Sequence, residues 1–248
     1  MAEERSKRLA VLIDADNASA KIVDGLFEEI AKLGEASVRN IYGDFSNPRS
    51  KGWADVLSKY AIMPRQQFAY TTGKNASDIT LVIEAMDLLH TGRFDGFCLV
   101  SSDSDFTRLA ARIREEGVDV YGFGEQKTPE SFRQACRRFF YTENLLPQPA
   151  ASAGNKTKSL EPVAKASKIL IRLISDMDTD GGWVSLGGLG SQLVNLVSDF
   201  DPRSYGYKKL SDLVRHIDEL EVKSDGGTLR VRVMPKPAKP AKAGANPR

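Results

Sequence analysis

Along the first 146 residues, short apolar runs bounded by turn formers alternate with segments whose apolar positions recur every three or four residues. The runs read as strands buried on both faces, and the longer period reads as helix. The first run, Leu9-Ala10-Val11-Leu12-Ile13, ends in Asp14-Ala15-Asp16-Asn17. Ser19 or Asn17 caps a helix through Ile22, Val23, Leu26, Phe27, Ile30 and Leu33, which Gly34 stops. Residues 36–42 predict a second strand, Trp53 to Tyr60 a short helix, and residues 62–69 a third strand. A polar loop then leads to a helix over 78–89, apolar around most of its circumference and therefore expected to be deeply packed. Phe97-Cys98-Leu99-Val100 is a fourth strand, followed by Ser101-Ser102-Asp103-Ser104-Asp105 and a helix from Thr107. Residues 118–123 predict a fifth strand and 131–140 a basic amphipathic helix. Alternation of this kind predicts an α/β fold, a parallel sheet with helices on both faces.

The pattern changes after Leu145. Residues 147–160 are rich in Pro, Ala, Ser and Gly and read as a flexible linker after a first domain of residues 1–146. In a second unit, 161–234, residues 164–177, 189–200 and 210–220 predict helices. Residues 222–233 predict a hairpin around Asp225-Gly226-Gly227. Helices closed by a hairpin describe a small α+β winged helix. Residues 235–248 form a Pro/Ala/Lys tail with no apolar side chain larger than Ala, expected to be disordered.

Composition narrows the class. With 41% apolar and 27% charged residues, the chain is an ordinary soluble globular protein. No apolar run reaches the length of a membrane span, and the N-terminus lacks a signal core. Cys98 and Cys136 form no pair or metal spacing, which predicts a reducing, cytoplasmic setting. Residues 1–146 carry a net charge of −3 and residues 147–248 one of +5, but four of the latter's cations lie in the tail. Charge alone therefore does not announce a nucleic-acid binder.

Candidate chemistry lies in the acids. Asp14 ends the first strand, Asp103 ends the fourth and Asp78 opens a helix, so a parallel sheet brings three distant acids to one edge. Each is also suited to capping a helix. A carboxylate cluster in a chain with two His is a hard-oxygen site suited to Mg²⁺ or Mn²⁺. Asp105 and Asp16 would complete the ligand set or orient water around it. Lys74 reads equally as a phosphate contact or a solvated loop lysine, and Arg133, Arg137 and Arg138 as backbone-tracking cations or a solvated helix face. There is no P-loop or GxGxxG, and no His stands near a Ser or Cys to build a nucleophile triad.

Asp14-x-x-Asn17, the helix-opening Asp78 and Ser101-Ser102-Asp103-Ser104-Asp105-Phe106 together resemble the NYN domain, the LabA-like branch of the PIN-type nucleases. The resemblance spans roughly residues 7–145. It implies a PIN-like sheet and a Mg²⁺- or Mn²⁺-dependent ribonuclease, with Asp14, Asp78, Asp103 and Asp105 as metal ligands. Asn17 and Ser101 or Ser102 fall at substrate-side or ligand-supporting positions; Ser102 stands where many relatives carry Gly. Residues 206–214, Gly-Tyr-Lys-Lys-Leu-Ser-Asp-Leu-Val, with the hairpin after them, resemble an OST-HTH (LOTUS) domain, an RNA-binding or in some members protein-docking winged helix. Tyr205, Tyr207, Lys208, Lys209, Arg230 and Arg232 are its candidate RNA contacts, Tyr205 foremost because the loop before it reads as exposed. Aromatic rings beside few cations suit single-stranded or structured non-duplex RNA. The expected function is an endoribonuclease with an RNA-holding winged helix and no membrane partner. Its alternatives are an inactive RNA-binding adaptor and a HAD-type phosphatase using Asp14 and Asp16. A protein partner for the LOTUS module and a homodimer stay open.

Overall fold

A computed structural model describes residues 5–46, 50–67, 76–147, 160–177 and 180–234. They gather in two compact units, one of residues up to 159 with Val194–Ser204, the other of Leu160–Leu193 and residues from Tyr205 on. Lys74, nearly all of the expected linker and the expected tail lie outside the described residues.

The first unit is built on strands β1 (Arg8–Asp14), β2 (Glu35–Gly43), β3 (Met63–Gln66), β4 (Gly96–Val100), β5 (Asp119–Gly124) and β6 (Arg138–Tyr141). All neighbours pair in parallel, in the order β3-β2-β1-β4-β5-β6. Helices α1 (Val23–Leu33), α2 (Lys51–Ala54), α3 (Ala76–His90), α4 (Thr107–Glu115) and α5 (Glu130–Ala135) connect them. Period-two alternation splits every strand but the exposed β3 between two cores. Leu9, Val11 and Ile13 of β1 join α1 and Trp53, while Ala10 and Leu12 join α3, α4 and α5. The chain builds outward from β1 to β3, then crosses to β4 and builds the other way. Strand order therefore reverses between β1 and β4, where a doubly wound sheet opens a crevice at the carboxyl ends of its strands.

Three expectations are corrected in this unit. Residues 131–140 are not one helix: α5 stops at Ala135, Cys136 turns extended (φ −84°, ψ 148°), and β6 follows. Phe132, Cys136, Phe139 and Phe140 imitate helical spacing. However, the Arg137 amide donates to the Val120 carbonyl (2.8 Å), and Phe139 and Phe140 enter opposite cores as a strand requires. Nor is α3 buried all round. Leu81, Ala85 and Leu89 form one inward stripe, and Ile79 and Ile83 are 61% and 56% exposed. The third strand is Met63–Gln66, shorter than the apolar run suggested.

In the second unit, α6 (Val163–Asp176), β7 (Val184–Ser185), α7 (Leu186–Leu196, in this unit through Leu193) and α8 (Leu210–Arg215) precede β8 (Leu220–Asp225) and β9 (Thr228–Val233). α7 begins and ends a few residues earlier than the spacing suggested, and α8 is shorter because Leu220 already starts β8. The strands form an antiparallel sheet in the order β7-β9-β8. Gly226 and Gly227 make the β8–β9 turn with φ of 56° and 81°, a left-handed pair that only such residues adopt without strain. Val184, Leu220 and Val231 face the unit's core. No helix among the described residues is long and apolar enough to cross a membrane.

Candidate active site

The crevice between β1 and β4 is lined by acids because each of the two strands ends at it in a polar turn. Ile13 pairs with Val100, so Asp14 and Ser101 leave the sheet side by side. Gly43 makes room for the turn after Asp14, since a Cβ there would stand 2.8 Å from that of Ala15.

Asp14 is 1% exposed and held by four hydrogen bonds. Its Oδ1 accepts the amides of Asp16 (3.1 Å) and Asn17 (3.3 Å). Its Oδ2 accepts Asn17 Nδ2 (2.9 Å) and Ser101 Oγ (2.7 Å). Burial outweighs these bonds and holds the Asp14 carboxyl above the usual carboxylate range. The Ser101 hydroxyl also accepts the Asp103 amide (3.0 Å), so one buried side chain ties the acid ending β1 to the acid following β4. Asp103 caps the helical turn Ser104–Phe106 by accepting the Asp105 amide (2.9 Å), and buried Phe106 anchors that turn. On the other side, Ser77 in the first turn of α3 donates to Asp16 Oδ2 (3.2 Å).

Asp78, half-buried in the same turn, carries the clearest signature. Its pKa is pushed up to about 6, first by burial and then by the negative charges of Asp14, Asp103, Asp16 and Asp105. The structure thus brings the other four sequence-predicted acids within electrostatic reach of Asp78. Among the described residues, Asp14, Asp16, Asp78 and Asp103 make no ion pair with Lys or Arg. Hard oxygens with uncompensated negative charge fit a divalent cation such as Mg²⁺ or Mn²⁺. Yet among the described residues no three acidic, His or Cys side chains form a ready ligand group. The donor chemistry fits, and an ion would have to draw the set together.

The other candidates lie elsewhere. Ser102 turns toward the loop after β5, where its Oγ accepts the Glu125 amide (2.8 Å). Arg133 is ion-paired with Asp199 and donates to the Tyr141 hydroxyl (2.7 Å). Arg137 donates to both oxygens of Asp119 (2.6 and 2.7 Å), at the opposite end of the sheet from the acids. Tyr205 is 7% exposed, which overturns the expectation of an exposed loop there. The Tyr207 ring lies 5.2 Å from that of His216, and Lys208 and Lys209 are exposed. Arg230 and Arg232 share one face of β9 and pair with Asp225 (3.7 Å) and Glu221 (2.6 Å). Sequence reasoning passed over Trp183, whose only signal was a large ring following Gly181-Gly182.

A doubly wound sheet with an acidic crevice at its reversal point, followed by a small winged-helix-type unit, fits a nuclease-type domain joined to an RNA-binding-type module. Family models agree: the NYN domain matches residues 8–145 and the OST-HTH/LOTUS domain residues 161–231. The chain belongs to the NYN-domain family and carries an OST-HTH/LOTUS domain after the NYN domain. No curated protein matches it. Among solved structures, a protein of unknown function from Vibrio parahaemolyticus is similar, at 19% identity and a TM-score of 0.46, over 56% of this chain and 94% of that one.

Proposed function

We propose that the chain is a metal-dependent endoribonuclease that hydrolyses RNA phosphodiester bonds at the β1–β4 crevice and holds RNA through its C-terminal domain. The carrying observation is the convergence of Asp14, Asp16, Asp78 and Asp103 on one crevice with no Lys or Arg ion pair among the described residues, a crowding that raises the Asp78 carboxyl and that an ion-binding site explains and a set of helix caps does not. Asp14, Asp78, Asp103 and Asp105 would hold Mg²⁺ or Mn²⁺. When bound, such an ion activates water and offsets the charge that develops on the phosphate. The protein's part is orientation. Four hydrogen bonds fix Asp14 in one rotamer, Asn17 and Ser101 supplying the two from side chains. The Ser101 hydroxyl keeps the Asp103 turn in register with Asp14, and Ser77 steers Asp16.

One observation favours a second reading, an RNA-binding adaptor without catalysis: no ready three-ligand group exists among the described residues. The family match leaves the phosphatase without comparable support. The two remaining readings separate in one digestion. Single-stranded RNA, duplex RNA and DNA are incubated with Mg²⁺, Mn²⁺ or EDTA and with the wild type or Asp14→Asn. RNA cleavage that needs both an ion and Asp14 is expected. RNA bound but uncut under every condition would leave the adaptor.

A further inference from the structure

In the second unit, cross-strand register puts one set of side chains on the sheet's outer face. Glu221 pairs with Arg232, Lys223 with Arg230 and Asp225 with Thr228, while Val222 and Val231 pair on the inner face. β7 adds Ser185 beside Arg230 and Val184 beside Val231, so Trp183 falls beside Arg232, on the outer side again. The contacts agree. Lys223 Nζ lies 4.3 Å from the Trp183 ring centroid and Arg232 Cζ 4.6 Å from it. Three cations and one indole thus gather on a solvent-facing sheet with two carboxylates, Glu221 and Asp225.

We propose that this face is an RNA-binding platform for an unpaired base and its flanking phosphates, with Trp183 as the stacking ring. The inference rests on the reading of the C-terminal domain as an RNA holder and names its surface. The indole is half-buried, and the cover on its face is long, solvated cationic side chains rather than packed core. A base can take the place of those side chains over the ring, freeing their charges for phosphate. The acids do not prevent it. Arg230–Asp225 and Arg232–Glu221 are partly exposed pairs, and such pairs contribute little. Lys223 has no carboxylate at ion-pair distance among the described residues, and its side chain is exposed. An acidic peptide would satisfy the cations but would leave the indole without a flat partner. A duplex keeps its bases stacked inside. Unpaired RNA uses both features.

Trp183 supplies its own reporter. The chain has two tryptophans, and Trp53 is 2% exposed with its ring N–H on the Ala18 carbonyl (2.8 Å), out of reach of a ligand. The full chain is titrated with a fluorescein-labelled 12-nucleotide RNA in EDTA, which keeps the acidic crevice from cutting it. Indole fluorescence and the anisotropy of the label are read together. Saturable quenching is expected with single-stranded RNA and little with a matched duplex. Trp183→Leu should remove the quenching and weaken binding by about tenfold, the scale of one lost stack. In case that variant unfolds, Lys223→Glu/Arg230→Glu changes only exposed side chains and should weaken binding at least as much. Lys168→Glu/Arg172→Glu, two exposed positions on α6, makes the same charge change away from the Trp183 face and should cost far less. RNA binding without quenching, or binding that survives Lys223→Glu/Arg230→Glu, would overturn the platform. So would a polyglutamate peptide that displaces the RNA and itself quenches the indole. RNA cut in Mn²⁺ without quenching would sink the platform alone, and quenching without cleavage would sink the nuclease reading alone.

Discussion

The two edges of the first unit's sheet treat negative charge in opposite ways. At the amino ends of the strands, Asp119 opens β5 between two cations: Lys7 Nζ at 2.8 Å and the Arg137 guanidinium at 2.6 Å. Burial raises the Asp119 carboxyl, but Arg137 and Lys7 outweigh it and hold the pKa below the usual range. At the carboxyl ends, Asp14, Asp16, Asp78 and Asp103 crowd one crevice with no Lys or Arg ion pair among the described residues, and Asp78 is pushed the other way. The same side chain type is therefore a staple at one edge and a source of repulsion at the other. Sheet geometry does not require the second arrangement, because Ser or Thr would cap the same turns without self-repulsion. What the crowded edge retains is affinity for something positive.

The largest effect that can break this contrast is on catalysis. Asp103→Asn keeps the side-chain oxygen that accepts the Asp105 amide, so the turn should persist. Metal-dependent RNA cleavage should nevertheless fall by more than about 100-fold, since a ligand charge is lost. Cleavage rates in Mn²⁺ within a few-fold of wild type would remove Asp103 from the ligand set. Next in size is the ion's own effect on stability. Mn²⁺ at about 100 times its dissociation constant should add roughly 2.7 kcal/mol, a rise of about 5–10 °C in Tm that EDTA reverses. Asp14→Asn and Asp103→Asn should lose most of that rise. An equal shift in both variants would mean the ion binds elsewhere.

The contrast itself is sharpened by neutralising one acid at each edge. In EDTA, Asp103→Asn should raise Tm by roughly 2–4 °C, the equivalent of about 1 kcal/mol of relieved repulsion. Asp119→Asn should lower it by a similar amount, kept small because Lys7 and Arg137 are 43% and 50% exposed and solvent screens them. The sign with pH follows. Asp119 has a folded pKa below its unfolded one, so its contribution is present above about pH 4 and fades as the pH falls through the folded value. Acid unfolding of Asp119→Asn should therefore converge with wild type once the pH has fallen below the folded value. Two shifts of the same sign at neutral pH would erase the distinction between the edges.

How much of this was legible in the sequence depends on how far apart the partners lie. That Asp14 ends a strand and Asp103 closely follows one is read from local text, an apolar run stopping at Asp14-Ala15-Asp16 or at Ser101-Ser102-Asp103. That they are neighbours requires β1 to lie beside β4, which no local pattern reveals; the resemblance supplied it. β6 was misread because Phe132, Cys136, Phe139 and Phe140 fit helical spacing as well as strand alternation, and only pairing with β5 decides between them. Tyr205 was expected on an exposed loop because Pro202-Arg203-Ser204 is polar, yet Ser204 and Tyr205 are both buried. The indole's two cations come from strands some 40 and 49 residues later, at positions fixed by hairpin register, so Trp183 gave no warning.

The smallest predicted effect separates scaffolding from charge within the acidic edge. Ser102 stands one residue before Asp103, where the family resemblance admits a substrate-side role. Its hydroxyl instead accepts the Glu125 amide at 2.8 Å, fastening the turn after β4 to the loop after β5. Both residues are only half-buried, so water can replace the lost acceptor in Ser102→Ala, and the cost should be about 0.5 kcal/mol. Tm should fall by about 1–2 °C, and the cleavage rate should stay within threefold of wild type, because the carboxylates keep their own supports through Ser101. A drop of tenfold or more in kcat with Tm unchanged would instead put the Ser102 hydroxyl against the substrate. In that case the acidic edge would be reading RNA through its serines as well as repelling through its acids.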